Sequence, residues 1–314
     1  MSEQFYKIQG FSGSTPAGGP GVPFSGMTPG LPFAAKAADA KLISVGGIAA
    51  FDSFVATHYP ASVAPYYAAI PPTSFHIEQW SPLDISLPLR IWLDSTAIPL
   101  AGGAQVQTWD DLSGNGYQLT QDSLINSPIY DDVQFNGCCH YATSGNIDPN
   151  SRWLSDTSFA AANIMTMFVV LRFDGTMGGA FLTASDFLSD TSPPTPRLRL
   201  GPDGATYNFQ VATGPPPLSG SVWDNFTHVI SCDYSPAVVN LYRDGVLDAS
   251  AVMFTIGMGG IAVGTDPSLL GNYSWDGLIG SIIIVAGVCS TEERTLVQTY
   301  LAQLHSTPAA PIVL

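Results

Sequence analysis

The sequence predicts an all-β chain: a two-sheet antiparallel sandwich with one C-terminal helix, preceded by an extended Pro/Gly-rich N-terminal arm. Three observations predict it. From residue 88 onward, short β-branched and aromatic runs are separated by Gly, Asn, Asp and Pro turn signals, the pattern of a sandwich. A capped amphipathic stretch, STEERTLVQTYLAQLH, stands near the end. Before residue 42, Gly, Pro, Ser and Ala dominate. The chain accordingly divides into an arm over 1–41, an apolar connector over 42–87, the sandwich over 88–306 and a tail over 307–314.

In the arm, proline and glycine are dense enough to disfavour both helix and ladder. Phe5, Tyr6, Phe11, Phe24 and Phe33 nevertheless punctuate it. Two readings are open: a disordered tail, or an assembly arm whose aromatics dock on neighbouring subunits. The connector is apolar and nearly uncharged, and Pro60, Pro65, Pro71, Pro72 and Pro82 divide it into short pieces.

In the sandwich, LRIWLD (89–94), VQTW (106–109), DVQF (132–135) and MTMFVVLRF (165–173) read as strands, followed by RLRLG (197–201), YNFQVA (207–212) and FTHVISCDY (226–234). In the last of these, His228, Ile230, Cys232 and Tyr234 share one face by the strand period of two. VVNLYRDGVLDAS (238–250) reads as a hairpin, because Asp244-Gly245 suits the positive dihedrals of a type I′ turn. LIGSIIIVAGV (278–288) is apolar throughout, as a central strand would be. In the helix, Ser290 and Glu293 fit a capping box, and Leu296, Val297, Tyr300, Leu301 and Leu304 form one stripe.

Hydrophobic residues make up 46% of the 314 positions, enough for a large core, while charged residues make up only 11%, against roughly 25% in an ordinary domain. Neutral surface on that scale predicts an obligate assembly. Net charge is -15. Residues 90–314 hold seven arginines and 20 acids, a net of -13, which excludes binding to nucleic-acid phosphates. The opening MSEQFYKIQGFSGS has no apolar h-region, so no secretory leader is expected. No run of 18 or more apolar residues occurs, so no membrane span is expected. Cys138, Cys139, Cys232 and Cys289 lack metal spacing. They read as buried free thiols of a reducing compartment, with a bridge from Cys232 or Cys289 to the vicinal pair as the other reading. The five histidines, His58, His76, His140, His228 and His305, show no metal-ligand spacing either.

The stretch VQTWDDLSGNGYQL (106–119) gathers Asp110, Asp111 and Asn115. As a turn, Asp111 and Ser113 accept from nearby backbone N–H groups, and Gly114 and Gly116 supply positive dihedrals. As a site, Asp110, Asp111 and Asn115 would contact a divalent cation or a glycan. No cofactor is expected otherwise.

LRIWLD, VQTWDDLSGNGYQLTQ, VQFNG, NLYRDGV and WDGLIGSIIIVAGVCSTEERTLVQTYLAQLH occur in that order. Together they resemble the concanavalin A-like, or laminin-G-like, jelly-roll domain over roughly 88–306. The resemblance implies two curved antiparallel sheets and a choice among lectins, glycosidases and adhesion modules, bacteriophage tail, fibre and capsid-decoration proteins among them. Related domains bind Ca²⁺ at a rim, which makes Asp131, Asp132 and Asp266 candidates beside Asp110 and Asp111. Glucanases of this fold carry two glutamates on one strand, whereas this chain holds only Glu3, Glu78, Glu292 and Glu293, none in such a pair. No enzyme is therefore expected. Aromatics beside amides and carboxylates suit glycans, and Trp223, Asp224, Asn225, Asn272, Tyr273, Trp275 and Asp276 are the candidates.

The resulting expectation is a virion structural protein, made in the host cytoplasm without a signal peptide. Its partners would be other virion proteins, sister subunits (a trimer favoured) and host surface glycans. The competing expectation is a soluble glycan-binding lectin of a bacterial surface or secreted protein.

Overall fold

The computed structural model describes residues 4–12, 28–58, 73–141, 152–159, 164–173, 182–184, 198–203, 206–211, 218–222, 224, 226–236, 238–252, 260–264 and 275–305. The chain is mostly β, with antiparallel sheets and two described helices. It divides into two compact units: Met1–Ser86 with Ser290–Leu304, and Leu87–Cys289 with His305.

The first unit corrects the extended arm. β1 (Phe5–Ser12), β2 (Thr28–Lys36) and β3 (Ser74–Trp80) form an antiparallel sheet of order β2-β1-β3. Between β2 and β3 lies α1 (Ala37–His58). Alternation along β1 sends Tyr6 and Ile8 to one face, where Phe33, Ile43, Phe51, Phe54 and Val55 complete a core with α1. Phe5 goes to the other face, its ring 4.7 Å edge-on from Tyr300 of α2 (Thr291–Leu304), and Trp80 meets the same tyrosine at 5.3 Å. Phe5 and Phe33 are therefore buried in their own unit, Tyr6 packs half-buried against the same core, and Phe11 is half-buried on β1. Phe24 lies outside the described residues.

Prolines did not prevent the ladder because β2 is an edge strand, where a missing N–H goes unmissed. Its outer edge is blunted by Gln303, whose Nε2 donates to Ala34 O at 2.5 Å and whose Oε1 accepts from Lys36 N–H at 2.9 Å. α1 crosses the expected 41/42 boundary and removes the short-piece connector up to His58. Gly47, at φ 66° and ψ -152°, kinks it and breaks the apolar period that would have marked it. Among the described residues α1 is the one helix long and apolar enough to cross a membrane by length and composition, which the absence of an unbroken apolar run did not reveal. α2 is capped as expected: Ser290 N–H donates to Glu293 Oε2 at 3.0 Å, and Glu293 N–H donates back to Ser290 Oγ at 3.1 Å. It belongs to this unit, not to the sandwich.

The second unit contains β4 (Leu89–Asp94), β5 (Thr108–Asp110), β6 (Gln118–Thr120), β7 (Ile129–Asp131), β8 (Cys138–Tyr141), β9 (Leu154–Asp156), β10 (Met165–Phe173) and β11 (Leu182–Ala184). It continues with β12 (Leu198–Asp203), β13 (Thr206–Val211), β14 (Leu218–Val222), β15 (His228–Tyr234), β16 (Val239–Arg243), β17 (Val246–Ala251), β18 (Ile261–Val263) and β19 (Gly277–Ala286). One eight-stranded sheet runs β17-β16-β15-β10-β19-β8-β7, with β4 also pairing β19. The other runs β14-β13-β12-β11-β18-β9-β6-β5. Ile91, Val169, Leu171, Ile230 and Ile282 of the first sheet share one core with Trp109, Leu119, Leu154, Ile261 and Val263 of the second. β19 is buried along almost its whole length, because it is paired on both edges.

The expected strand at 132–135 is not formed. Asp131 Oδ1 accepts from Val133 N–H and Gln134 N–H, and this Asx turn stops β7. The chain then makes one 3-10 turn in which Phe135 and Asn136 adopt φ 56° and 59°. A bulky residue in that region costs roughly 1–3 kcal/mol. Burial of the Phe135 ring, the Arg172 guanidinium over it and a hydrogen bond from His305 Nδ1 to Phe135 O at 2.8 Å offset the cost. The other ring nitrogen, Nε2, lies 2.6 Å from Ser281 Oγ, which reaches Asp94 Oδ1 at 3.3 Å. The pair imitates a nucleophile and its base, yet Ser281 has no exposed surface, so it is an internal brace.

Candidate functional site

The strongest concentration of charge chemistry on the sandwich lies where β15 begins and β16 turns into β17. Ile230, Cys232 and Tyr234 of β15 point into the core, and alternation carries His228 along that same face to the end of the strand. Asp244 and Gly245 take φ 50° and 84°, the I′ geometry that Asp-Gly predicts, and this places the Asp244 carboxylate beside His228. Asp244 Oδ1 accepts from Val229 N–H at 2.9 Å, and Oδ2 lies 2.6 Å from His228 Nδ1. On the other side of the ring, Nε2 is 2.6 Å from Asp224 Oδ1 and 2.6 Å from Arg243 Nη2. Arg243 also forms an ion pair with Asp224, whose Oδ1 accepts from Phe226 N–H at 3.0 Å.

The cluster is graded from inside to outside. The side chains of His228 and Asp244 are 4% and 9% exposed, and that of Asp224 is 41% exposed. Phe226, two residues on in the chain, is 55% exposed. Burial alone would pull the His228 pKa down, but the hydrogen bond and charge of Asp244, then the bond to Asp224, outweigh it and leave it above the ordinary value, with Arg243 opposing. Burial pushes the Asp244 carboxyl up, against His228 and Val229 N–H, so the pair keeps its shared proton to a higher pH than separate groups would. Burial also acts on Asp224, yet bonds from His228 and Phe226 N–H and the Arg243 charge bring it below the usual carboxylate range.

The remaining expected residues fall as follows. Trp275 is corrected: it is completely buried, its ring 5.3 Å from Phe173, because the segment leading into β19 is pinned to Gly264 O and turns the indole into the core. It packs the interior and cannot meet a sugar. Asp276 beside it is half-buried. Trp223, Asn225, Asn272, Tyr273 and Asp266 lie outside the described residues.

Asp110, Asp111 and Asn115 are not gathered as ligands. Asp111 Oδ1 accepts from Trp92 N–H at 2.9 Å and from Ser113 N–H at 2.8 Å, and Asp110 Oδ1 accepts from Gln118 Nε2 at 2.6 Å. Asn115 turns its amide nitrogen inward, donating to Leu89 O at 2.8 Å and Arg90 O at 3.0 Å. The segment is a turn that clips itself to β4. Among the described residues no group of three or more His, Cys, Asp or Glu side chains could hold a metal ion. Asn115→Ala is expected to lower stability by about 1 kcal/mol, read as a lower urea midpoint with unchanged slope.

A cavity of about 550 Å³ lies in the first unit, with Lys7, Trp80 and the carboxylates Glu78, Asp84 and Glu293 in its wall. Each of these carboxylates has a local partner: Lys7 for Glu78, Ser81 for Asp84, Ser86 and Ser290 for Glu293.

His228 and Arg243 were missed as site residues by sequence reasoning. The available signal was Asp224 four residues before His228, with Asp244 placed in the turn of the neighbouring hairpin.

No protein-family model matches the chain, and no curated protein does. Among solved structures it is similar to the Trypanosoma rangeli sialidase in complex with sialic acid, at 10% identity and a TM-score of 0.46, over 70% of this chain and 34% of that one. It is similar to domain 4 of AbnA, a GH43 extracellular arabinanase from Geobacillus stearothermophilus, in complex with arabinotriose, at 16% identity and 0.48, over 69% and 99%. It is also similar to the binding domain of botulinum neurotoxin DC in complex with SialylT, at 11% and 0.48, over 70% and 52%. The chain thus spans about a third of the length of the sialidase. None of these likenesses carries a function across to this chain.

Proposed function

We propose that the chain is a non-catalytic adhesion module: a jelly-roll sandwich of concanavalin A type that binds glycan at the 224–228 rim and is carried on a bacteriophage particle. The observation that supports glycan binding is the exposed side chain of Phe226, whose backbone N–H donates to the Asp224 carboxylate. An aromatic face beside a fixed acceptor suits a sugar's C–H face and hydroxyls, and Asp224 is held ionised by Arg243 and His228. The absence of turnover is supported by the glutamates: Glu78 pairs with Lys7, Glu293 caps α2, and the described ones all belong to the first unit.

Assembly on a particle is supported by the 11% charged composition and by large apolar side chains left outside, such as Leu42 and Val45 of α1, 67% and 81% exposed. Cys138, Cys139, Cys232 and Cys289 are all buried thiols that form no disulfide, which supports synthesis in a reducing cytoplasm.

The test is a glycan array with the full chain, its size set by light scattering. We expect a trimer or larger that binds a glycan, and a Phe226→Ala variant weakened about tenfold or more, equivalent to about 1.4 kcal/mol. A monomer that binds the array as a Phe226→Ala variant just as tightly, or hydrolysis of a polysaccharide, would overturn the reading.

A further inference from the structure

We propose that His228 makes and breaks its outer hydrogen bond with pH: as an imidazolium it holds Asp224, and as a neutral ring it lets Asp224 go. The inference stands on the cluster alone and holds whether or not the rim takes a sugar.

The two ring nitrogens carry it. His228 Nε2 lies 2.6 Å from Asp224 Oδ1, and Nδ1 lies 2.6 Å from Asp244 Oδ2. A carboxylate oxygen can approach that closely only across an N–H. Both bonds need the doubly protonated ring, so loss of one proton must release one carboxylate.

The bond at Nδ1 is the one that stays. Asp244 Oδ2 is 2.6 Å away, and that carboxylate is buried and fixed by Val229 N–H through its other oxygen. Nδ1 therefore keeps its proton in both states, and the proton that comes and goes is the one on Nε2. Arg243 runs alongside both ring nitrogens, Nε 3.3 Å from Nδ1 and Nη2 2.6 Å from Nε2, so its charge opposes the imidazolium without selecting either nitrogen.

Other elements packed around the ring add no competing charge among the described residues. Leu171 of β10 pairs with His228, and Arg172 lies on the opposite face, bonded to Gln134. β14 holds only Leu218, Ser219, Gly220, Ser221 and Val222, and Asp248 of β17 bonds Ser221. Among the described residues the charges against the ring are two carboxylates and one guanidinium, so the imidazolium brings that set to neutrality.

The direction follows from the signs. The folded-state pKa of His228 is raised, so the release lies on the alkaline side of about 6.5, the ordinary histidine value. Stabilisation by the imidazolium is fully present below that ordinary value and is lost as pH rises through the folded value. What changes at the surface is Asp224 Oδ1, which sheds its imidazole bond and keeps only Phe226 N–H.

The test is NMR of the full chain with isotope-labelled histidine, combined with pH-dependent hydrogen exchange. The expected result is a His228 titration above the ordinary range that ends in the Nδ1–H tautomer, with exchange of the Phe226 amide changing at the same midpoint. Asp224→Asn should lower the midpoint and Arg243→Gln should raise it. The proposal is overturned if the neutral ring is the Nε2–H tautomer, if both variants move the midpoint the same way, if the Phe226 amide ignores the transition, or if His228 does not titrate.

Discussion

Asp244→Ala is expected to destabilise the sandwich by about 3–5 kcal/mol, the cost of removing one partner from a buried ion pair. The carboxylate braces Val229 N–H and His228 together, and Ala would also have to adopt φ 50° at the turn. Asp244→Asn keeps an acceptor and a side chain that tolerates that φ, so it should lose only about 1.5–3 kcal/mol. The pH dependence gives the effect its signature. In the parent protein the His228 contribution is complete at about pH 6 and fades as pH climbs through the raised folded pKa. Without Asp244 the raised pKa collapses, so urea stability measured at acid and alkaline pH should differ less than in the parent. Equal pH dependence in parent and variant would show that His228 draws its shift from elsewhere.

Gly264→Ala is expected to cost a similar amount through backbone and packing. Gly264 sits at φ 95°, and a Cβ there would overlap the edge of the Tyr141 ring and come within 2.6 Å of the Arg152 carbonyl oxygen. Its own carbonyl accepts from Trp275 N–H at 2.6 Å, so the chain cannot back away without moving the start of β19. A strained φ costs roughly 1–3 kcal/mol and overpacking another 1–3, which together make about 2–6 kcal/mol. Gly103 separates the two terms: its φ is 85°, but a Cβ there meets nothing within 4 Å. Gly103→Ala should therefore lose only the backbone part, and equal losses at the two positions would contradict the steric argument.

The sandwich was legible where strands obey their own period. LRIWLD and MTMFVVLRF are β4 and β10 to the residue, and the Asp244-Gly245 turn and the Ser290–Glu293 box appear as their chemistry dictates. The first unit was not legible, because its signals cancel. Pro29 and Pro32 look like ladder breakers until the strand is known to be an edge, and Gly46-Gly47 hides a helix that runs free of proline from Ala37 to His58. DVQF reads as a strand from its residues but is overruled by the Asx turn at Asp131. Within the site, Asp224 was visible as an acid beside an aromatic. His228 and Arg243 were not, because their meeting depends on the register Ile230↔Arg243 between two strands, which no local pattern encodes.

The position of α2 has a consequence for biosynthesis. The helix that covers one face of the β2-β1-β3 sheet is encoded some 200 residues after β3. At about 5–20 residues per second, the earliest strands emerge from the ribosome tens of seconds before Tyr300 and Gln303 exist to cover them. Chains that terminate early would carry Phe5, Trp80 and the bare rim of β2 uncovered, open to chaperones and proteases. Only a chain translated through Gln303 can close that sheet.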